Sequence, residues 1–359
     1  MTEMIKTEVL HKLWEGGFIP AHPLALHEDL TIDEESHRRL TRYYISCGVD
    51  GIAIGVHTTQ FEIRDPAYNY YEKVLEITLD EINRSTTNPS FIKVAGICGA
   101  TSQAIKEARI AKKLGYDFGL LSMGGLHSFS EKELIERTQA VAKEIPVFGF
   151  YLQPSVGGRI FSYDFWEQFC NTENVYAIKT APFNRYFTLD VVRAICNSGR
   201  NNEIALYTGN DDNIVVDLLT PYTIINSNHP VQKRFAGGLL GHYAIWTKRS
   251  VELFHKIKEG LKNSNLDYEE MLSTAVEITD MNAAIFDAAN QFQGSISGIH
   301  EVLRRQGLLK GIWCLNPKEK LSEGQAGEID RVISQYQKWT DDDYVKEFIK
   351  KDDNHSLKK

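Results

Sequence analysis

The sequence lacks the features that mark membrane-spanning, zinc-binding and disulfide-stabilised proteins. None of its apolar runs approaches the roughly 18 residues of a membrane span, and the opening residues lack the apolar core of a secretory signal. The five cysteines are scattered singly without a C-x-x-C pair, so neither a zinc site nor a disulfide framework is indicated. These absences predict a cytoplasmic protein with reduced thiols and no membrane partner.

A surplus of basic residues is missing as well. Lys and Arg total 40 and Asp and Glu total 48 among 359 residues, which gives a net charge of -8. Proteins that bind nucleic acid normally carry a basic surplus, so no nucleic-acid partner is expected. The remaining composition, 42% hydrophobic and 25% charged, is that of an ordinary chain able to bury a large core.

Short apolar runs alternate with longer helical patterns between about residues 15 and 258. Eight strand-plus-helix units can be counted, which favours a parallel sheet closed into a (β/α)8 TIM barrel. An open, doubly wound sheet stays an alternative, because periodicity does not detect closure. The strands are predicted at Gly17–Leu26, Gly51–Gly55, Phe91–Ile97, Phe118–Met123, Val147–Leu152, Val175–Ile178, Ile204–Thr208 and Thr223–Ile225.

The chain after residue 258 has a different pattern. Helical spacing continues there without a convincing strand, so residues 259–359 are predicted to form a C-terminal helical extension. Residues 1–258 are predicted to form the barrel and to carry the catalytic site. The helices of the extension are predicted at Tyr268–Asn290, Ser295–Arg305, Glu328–Trp339 and Asp342–Lys351.

Lys179 ends the sixth apolar run, VYAIK. The carboxyl ends of the strands carry the chemistry in barrels of this kind. Burial favours the neutral amine and lowers the pKa of a lysine by up to ~3–5 units, which makes the amine a nucleophile for carbonyl groups. The alternative is a lysine that extends its ammonium to the solvent at the rim.

Tyr151 ends the preceding run, VFGFY. Neighbouring parallel strands lie ~4.8 Å apart, so the phenol of Tyr151 and the amine of Lys179 are expected to meet. A hydroxyl in this position can relay protons. The alternative is a core tyrosine whose hydroxyl bonds to the backbone.

Hydroxyl, amide and charged side chains follow other predicted strands. The hydroxyls of a threonine pair after strand two can bind a carboxylate or extend a proton relay, or else form a turn or a helix cap. After strand seven a glycine permits close approach of a ligand, and the next polar residues either bind substrate or cap a helix. An arginine after strand five either pairs with a substrate carboxylate or lies in solvent. These residues are Thr58, Thr59, Gly209, Asn210, Asp211 and Arg159.

Four motifs together resemble those of the dihydrodipicolinate synthase/N-acetylneuraminate lyase family of class I aldolases. YLQP at Tyr151–Pro154 resembles the family's Y-N-x-P, and AIKT at Ala177–Thr180 resembles its I-K segment. The lysine follows the tyrosine by 28 positions (179 minus 151), as in the family. GVHTTQ resembles the threonine-bearing turn after strand two, and TGNDD resembles the G-x-D after strand seven. The resemblance covers about residues 15–258.

This resemblance implies a TIM barrel that acts on pyruvate or another 2-keto acid. Lys179 would form a covalent imine with the ketone, so no separate cofactor and no metal are expected. Tyr151 and Thr59 would relay protons, and Thr58 with Thr59 would hold the carboxylate. The reaction would be aldol cleavage or condensation, or a related dehydration, in a homodimer or homotetramer.

Departures from the family pattern leave two other functions open. The tyrosines expected after strand four are replaced by MGGLHSF at Met123–Phe129, and Leu152 replaces the asparagine after Tyr151. These changes permit a catalytically inactive barrel that only binds a keto acid. A metal-dependent lyase on the same barrel would need histidines near the strand ends, but the chain has no H-E-x-x-H or H-x-H spacing. The histidines considered are His22, His57, His127, His229 and His242.

Overall fold

The computed structural model describes residues 5–226 and 229–356. Ten strands, thirteen α-helices and six short 3₁₀ helices are present in these residues. The strands are β1 (Phe18–Pro20), β2 (Gly51–Ile54), β3 (Ile92–Ile97), β4 (Phe118–Ser122), β5 (Val147–Tyr151), β6 (Val175–Thr180), β7 (Ala205–Thr208), β8 (Tyr222–Asn226), β9 (His229–Lys233) and β10 (Phe235–Leu240). The helices are α1 (Thr7–Glu15), α2 (Glu34–Cys47), α3 (Tyr71–Ser85), α4 (Thr101–Leu114), α5 (Glu131–Ala142), α6 (Tyr163–Cys170), α7 (Arg185–Asn197), α8 (Ile214–Leu219), α9 (Thr247–Asn263), α10 (Tyr268–Ile285), α11 (Ser295–Arg305), α12 (Gln325–Gln335) and α13 (Asp342–Ser356).

Eight of the strands form one nearly closed barrel in the order β1-β10-β7-β6-β5-β4-β3-β2. Every residue of β4 and of β5 is buried, as expected for strands covered on both faces. The two ends of the sheet are linked by Asp50, whose N–H donates to the Phe18 carbonyl at 3.0 Å and whose carboxylate accepts from the Phe18 N–H at 2.9 Å. The predicted fold class, a (β/α)8 TIM barrel with a C-terminal helical region, is confirmed.

The chain divides into two compact units, and the first contains nearly all of the barrel sheet. This unit comprises Met1–Ile19, Asp50–Ala53 and Asn88–Leu240. Its helix α1 was not predicted and is tied to β7 through the Tyr207 hydroxyl. That hydroxyl donates to the Leu13 carbonyl and accepts from the Gly17 N–H, each at 2.9 Å.

The predicted position of the eighth barrel strand is wrong. Thr223–Ile225 lies in β8, which pairs antiparallel with β9 in a separate hairpin. The eighth barrel strand is β10, a glycine-containing segment that was not predicted as a strand. A short apolar run in the sequence does not reveal the strand with which it pairs. Gly237 of β10 marks a close approach of two backbones, because a Cβ at this position would collide with the backbone of Gly17.

The second unit comprises Pro20–Val49, Ile54–Thr87 and Gly241–Lys359. It contains α2, α3 and the helices from α9 onward, and α13 is anchored on α2 by charge. The Asp352 carboxylate accepts from Arg42 Nε at 2.6 Å and from Arg39 Nε at 3.1 Å. The predicted domain boundary at residue 258 lies inside α9, and the division into barrel and extension stays a prediction.

Among the helices of residues 5–226 and 229–356, none combines the length and the apolar character that crossing a bilayer demands.

Candidate active site

Lys179 lies at the carboxyl end of β6, on the face that is directed into the barrel. The β5–β6 pairing aligns Phe148 with Ala177 and Phe150 with Lys179, so these four side chains share one face. Phe148 also contacts Tyr207 of β7, with 5.1 Å between ring centroids, and so reaches past the intervening strand. Side chains from strands two apart approach each other on the inner face of a barrel, which places Lys179 inward.

The surroundings of the Lys179 amine are apolar, with one acidic group acting on it. The side chain is 6% exposed, and its Nζ lies 4.3 Å from the centre of the Phe150 ring. Burial lowers the pKa of Lys179 from 10.5 to about 8, and the charge of Asp211 limits this fall. A larger fraction of this amine is therefore neutral at pH 7 than of an exposed lysine, which gives it the character of a nucleophile.

Gly209, directly after β7, makes room for the stem of this lysine. A Cβ at position 209 would lie 2.5 Å from Lys179 Cε and 2.8 Å from the Cβ of Ala181. The Gly209 N–H donates to the Thr180 carbonyl at 2.8 Å, so the backbone is fixed at this approach. A ligand was expected to approach this glycine, and in the structure the Lys179 side chain does so.

Tyr151 lies on the other face of β5, because it pairs with Thr180 and not with Lys179. Its ring packs against Trp166 of α6 and Phe187 of α7, with centroids 4.9 Å and 6.4 Å away. The strand partner of Lys179 on β5 is therefore Phe150 and not Tyr151, and contact between the phenol and the amine stays a prediction. An offset of one residue in a parallel pair moves a side chain to the opposite face of the sheet.

The Tyr151 hydroxyl is buried, and it has no hydrogen-bond partner of ordinary geometry within residues 5–226 and 229–356. Burial raises the pKa of Tyr151 to about 12, and the backbone of Phe161 opposes part of the rise. The phenol therefore keeps its proton at neutral pH. Its predicted role in proton transfer stays a prediction.

Thr58 and Thr59 lie in a 3₁₀ turn directly after β2. The Thr58 hydroxyl donates to the Ala21 carbonyl at 2.8 Å, and the Thr59 hydroxyl donates to the His22 carbonyl at 2.7 Å. Thr59 Oγ1 also accepts from the Gly55 N–H at 3.0 Å. The pair forms the turn that the sequence analysis gave as an alternative, and carboxylate binding by it stays a prediction.

Asn210 belongs to a buried network behind the end of β7. Its Nδ2 donates to Asp217 at 2.9 Å, and its Oδ1 accepts from the Phe183 N–H at 3.1 Å. Asp217 also accepts from the Thr208 hydroxyl at 2.7 Å and pairs with Arg185 at 2.5 Å. Burial raises the pKa of Asp217, while Arg185 and the neutral donors oppose this rise. Both ends of the Asn210 amide are thus engaged within the protein.

Arg159 is engaged with the loop that follows β4. Its Nη1 donates to the carbonyls of Phe129 at 2.7 Å and Leu126 at 3.3 Å. Its guanidinium lies 5.4 Å from the centre of the Phe161 ring. This is the loop in which MGGLHSF replaces the tyrosines of the family, so Arg159 fixes the altered segment.

Two residues near these positions were not identified from the sequence. Phe150 provides the ring against which the Lys179 amine lies. Strand alternation would have indicated this residue if the pairing register of β5 and β6 had been known. Gln60 is 1% exposed and adopts a positive φ of 69°, which is uncommon for a residue other than glycine. The sequence signal available for Gln60 was its polar character directly after the threonine pair.

The histidines considered for a metal site have other surroundings. His22 Nε2 lies 2.9 Å from the Thr41 hydroxyl, and His242 Nδ1 lies 2.7 Å from Asn282 Oδ1. Burial lowers the pKa of each imidazole to about 4. Within the part of the chain that the structure describes, no three His, Cys, Asp or Glu residues are grouped so that they could hold a metal ion.

The model of the dihydrodipicolinate synthetase family matches residues 15–223, which is more than half of the chain. The chain belongs to this family. The match includes the threonine turn, Tyr151, Lys179 and TGNDD, and it ends inside β8, before the strand that completes the barrel.

Individual relatives of the dihydrodipicolinate synthetase family are distant. N-acetylneuraminate lyase 2 of Escherichia coli O6:H1 is 25% identical over 311 residues, which cover 86% of this chain and 90% of that protein. A 4-hydroxy-tetrahydrodipicolinate synthase of Staphylococcus haemolyticus is 28% identical over 207 residues, which cover 56% and 65%. The match of the family and of these lyases confirms the predicted enzyme class, a lyase that acts on carbon–carbon bonds.

Solved structures of the family share the fold. An N-acetylneuraminate lyase from Fusobacterium nucleatum aligns with a TM-score of 0.67 at 19% identity, covering 91% of this chain and 100% of that chain. YagE, a prophage protein of the family from Escherichia coli K12 in complex with pyruvate, aligns with a TM-score of 0.72 at 16% identity, covering 90% and 98%. At these identities the likeness supports the barrel architecture alone.

Proposed function

We propose that this enzyme is a class I aldolase whose Lys179 forms an imine with pyruvate or a related 2-keto acid. The reaction makes or breaks a carbon–carbon bond next to the former carbonyl, or removes water in a related dehydration. Family membership supports the lyase class. The choice of Lys179 as the nucleophile is the finer step, and it depends on the surroundings of that side chain.

The chemistry requires a neutral amine. Nζ adds to the C2 carbonyl, and after proton transfers the carbonyl oxygen leaves as water, so that a C=N bond replaces the C=O bond. The protonated imine accepts the electron pair of a bond at C3, and the resulting enamine adds to an aldehyde carbonyl in the condensation direction. In the cleavage direction the C3–C4 bond supplies the electron pair and an aldehyde departs.

One observation carries the proposal. Lys179 is a buried lysine at the carboxyl end of a barrel strand, and burial lowers its pKa to about 8. Its amine lies against the ring of Phe150, and its stem passes a glycine that leaves no space for a Cβ. A strongly shifted pKa together with a fixed side chain is typical of a group used in catalysis.

The other predicted site residues enter the proposal with the roles that the family motifs suggest. Thr58 and Thr59 bind the keto acid carboxylate, and Tyr151 with Thr59 transfers protons. The buried Tyr151 hydroxyl has no partner of ordinary hydrogen-bond geometry within residues 5–226 and 229–356, which supports a functional role, because native proteins retain few such groups. Substrate contacts are proposed for Gly209, Asn210, Asp211 and Arg159. Family members are typically oligomeric, and a homodimer or homotetramer is proposed here.

Trapping of the imine tests the nucleophile. The protein is incubated with pyruvate and borohydride, and the mass and position of the adduct are determined by peptide mapping. We expect an adduct on Lys179 that is lost completely in Lys179→Met and retained in Lys233→Met. Lys233 is a matched control, since burial also lowers its pKa to about 8. Absence of any adduct with a panel of 2-keto acids would overturn the proposal.

Tyr151→Phe tests the proton transfer in the same assay. The variant keeps the aromatic packing, so the adduct on Lys179 should persist. Loss of the hydroxyl should slow exchange of the pyruvate C3 protons in deuterium oxide by about 10²–10⁴-fold, the usual contribution of acid–base help. Exchange at the rate of the unmodified enzyme would assign Tyr151 to packing alone.

A keto-acid-binding barrel without turnover is the second candidate function. The observation that favours it is the position of Tyr151 on the face of β5 opposite to Lys179. A further one is the absence of tyrosine from MGGLHSF after β4. Pyruvate binding or trapping without any exchange of the C3 protons would select this function over the aldolase.

A further inference from the structure

The Lys179 nitrogen has to meet two requirements that oppose each other. Attack on a ketone needs the amine without its extra proton, and burial favours that form by lowering the pKa of Lys179 to about 8. The imine that forms afterwards has to carry a proton, because only the charged imine withdraws electrons effectively from C3. An imine nitrogen binds a proton less tightly than the parent amine, so the burial that helps the first step hinders the second.

One acidic group acts on this nitrogen by its charge. It is Asp211, directly after β7, and it favours the protonated form of Lys179. The tyrosines of the adjoining strands are directed elsewhere. The Tyr207 hydroxyl is bound to the backbone of α1, Tyr151 lies on the opposite face of β5, and Tyr176 alternates with Lys179 along β6. Negative charge thus reaches the nitrogen from the side of β7.

On the side of β5 the nitrogen meets the ring of Phe150. The strand register pairs Phe150 with Lys179, and Nζ lies 4.3 Å from the centre of the ring. This distance is well inside the roughly 6 Å over which an aromatic face attracts a cation. Phe150 is 3% exposed and Lys179 is 6% exposed, so little water competes with the contact. Desolvated contacts of this kind are the strongest cation–π interactions.

We propose that the face of the Phe150 ring binds the positive charge of the Lys179 nitrogen, as ammonium in the free enzyme and as protonated imine once a ketone has reacted. The imine half of this inference rests on the proposed function. Phe150 is then a catalytic residue, because its ring touches the reacting nitrogen. A carboxylate in the same place would compete for the proton, whereas the face of a ring stabilises the charge and leaves the proton on the nitrogen.

The step that gains from this contact is the breaking of a bond at C3. The electron pair of a C3–H bond forms the C2=C3 bond, the pair of the C=N bond moves to nitrogen, and the C3 proton passes to the solvent. The nitrogen is neutral in the enamine and regains its charge when C3 takes up a proton or bonds to an aldehyde carbon. At a pH at which the imine would otherwise lose its proton, the ring increases the fraction of imine that can react.

Fluorination of the Phe150 ring is the central test. Trifluorophenylalanine, introduced at position 150 during translation, withdraws electron density from the ring face and nearly preserves the shape of the side chain. At saturating pyruvate, the falling alkaline limb of C3 proton exchange in deuterium oxide should move by about one pH unit to lower pH, a tenfold loss of rate on that limb. The same replacement at Phe148 is the matched control, because that ring lies on the same face and contacts Tyr207.

The ammonium half of the inference is measured without any ketone. Lysine labelled with carbon-13 at Cε reports the titration of Lys179 by NMR, and its signal is assigned with Lys179→Met. A fluorinated ring attracts the ammonium less, so the pKa of Lys179 should fall by about 0.5–1 unit. Lys233 is the internal control and should titrate as in the unmodified protein. A ring that only packs would give no graded response to one, two and three fluorine atoms.

The two readouts keep this inference apart from the proposed function. If no adduct forms on Lys179 but its pKa falls with each added fluorine, the aldolase proposal fails and the ring still binds the ammonium. If both readouts stay within about 0.2 unit, the Phe150 inference is overturned, and the Lys179 adduct alone decides the aldolase proposal. Phe150→Leu, which removes the ring and keeps an apolar side chain, should reproduce both shifts and covers poor incorporation of the fluorinated residue.

Discussion

Lys179, which is buried, and Lys233, which is half-buried, belong to the same unit and have the same direction and extent of pKa change. Burial lowers the pKa of each to about 8. Their amines differ in what surrounds them. The Lys233 amine donates to the carbonyls of Asn201 and Ile204, the latter at 2.7 Å, whereas the Lys179 amine lies over the ring of Phe150.

The difference shows that a lowered pKa alone does not identify a nucleophile. An amine whose hydrogens are bound by two backbone carbonyls is held as a structural crosslink, and its nitrogen is not free to turn toward a carbonyl carbon. An amine against an aromatic face keeps its lone pair available once it is neutral. We therefore expect Lys179 to govern reactivity and Lys233 to govern stability.

Crowding the stem of Lys179 should sharpen this contrast most. In Gly209→Ala the new Cβ would lie 2.5 Å from Lys179 Cε, so the side chain must move. A displacement of about 1 Å at a reacting group lowers rates by about 10²-fold, and we expect that loss in the rate of adduct formation with pyruvate. Gly199→Ala is the control, because a Cβ there meets nothing within 4 Å. Equal rates in both variants would contradict the assigned position of the lysine.

The free energy of unfolding should depend more on Lys233 than on Lys179. Lys233→Met leaves two carbonyls without their donor and should lower the free energy of unfolding by about 1–3 kcal/mol. Lys179→Met replaces a buried amine by an apolar side chain of similar size, so the change should stay within about 1 kcal/mol. Urea denaturation midpoints measure both. A larger loss in Lys179→Met than in Lys233→Met would break the comparison.

The smallest expected effect concerns the pH dependence of the adduct. The negative charge of Asp211 raises the pKa of Lys179, so its removal in Asp211→Asn should lower that pKa further below about 8. The neutral amine then persists to lower pH. In a plot of the rate of adduct formation against pH, the rising limb should therefore move to lower pH. Asp164→Asn on α6 should leave the limb in place. Movement of the limb to higher pH would show that Asp211 acts in another way.

The sequence predicted the barrel well where strands are continuous apolar runs, as for VYAIK and the lysine at its end. It failed at β10, because glycines that allow close backbone approach resemble the glycines of a turn. It also missed the strand partner of Tyr151, since the pairing register of β5 and β6 shifts between Val147 and Phe148. Alternation predicts which residues of a strand share a face, but not the residue of the neighbouring strand that they meet.

At the candidate site, sequence patterns likewise fail to predict contacts between residues that are far apart in the chain. The resemblance of four short motifs correctly indicated the family, and the burial of Lys179 followed from its place in an apolar run. The Asn210 network could not be foreseen, because an amide that contacts substrate and an amide that contacts a buried carboxylate have the same sequence signal. Gln60 was overlooked because its partner is a backbone N–H far along the chain, and no pattern of residue types encodes that contact.

Gln60 Oε1 accepts from the backbone N–H of Leu315, and this bond joins positions 255 residues apart. At about 5–20 residues per second, a ribosome needs roughly 13–50 s to add that stretch. During this interval the loop after β2 is already made, but the backbone group that orients its glutamine does not yet exist. The loop after β2 thus acquires this contact only in the last stage of synthesis, after most of the barrel has been translated.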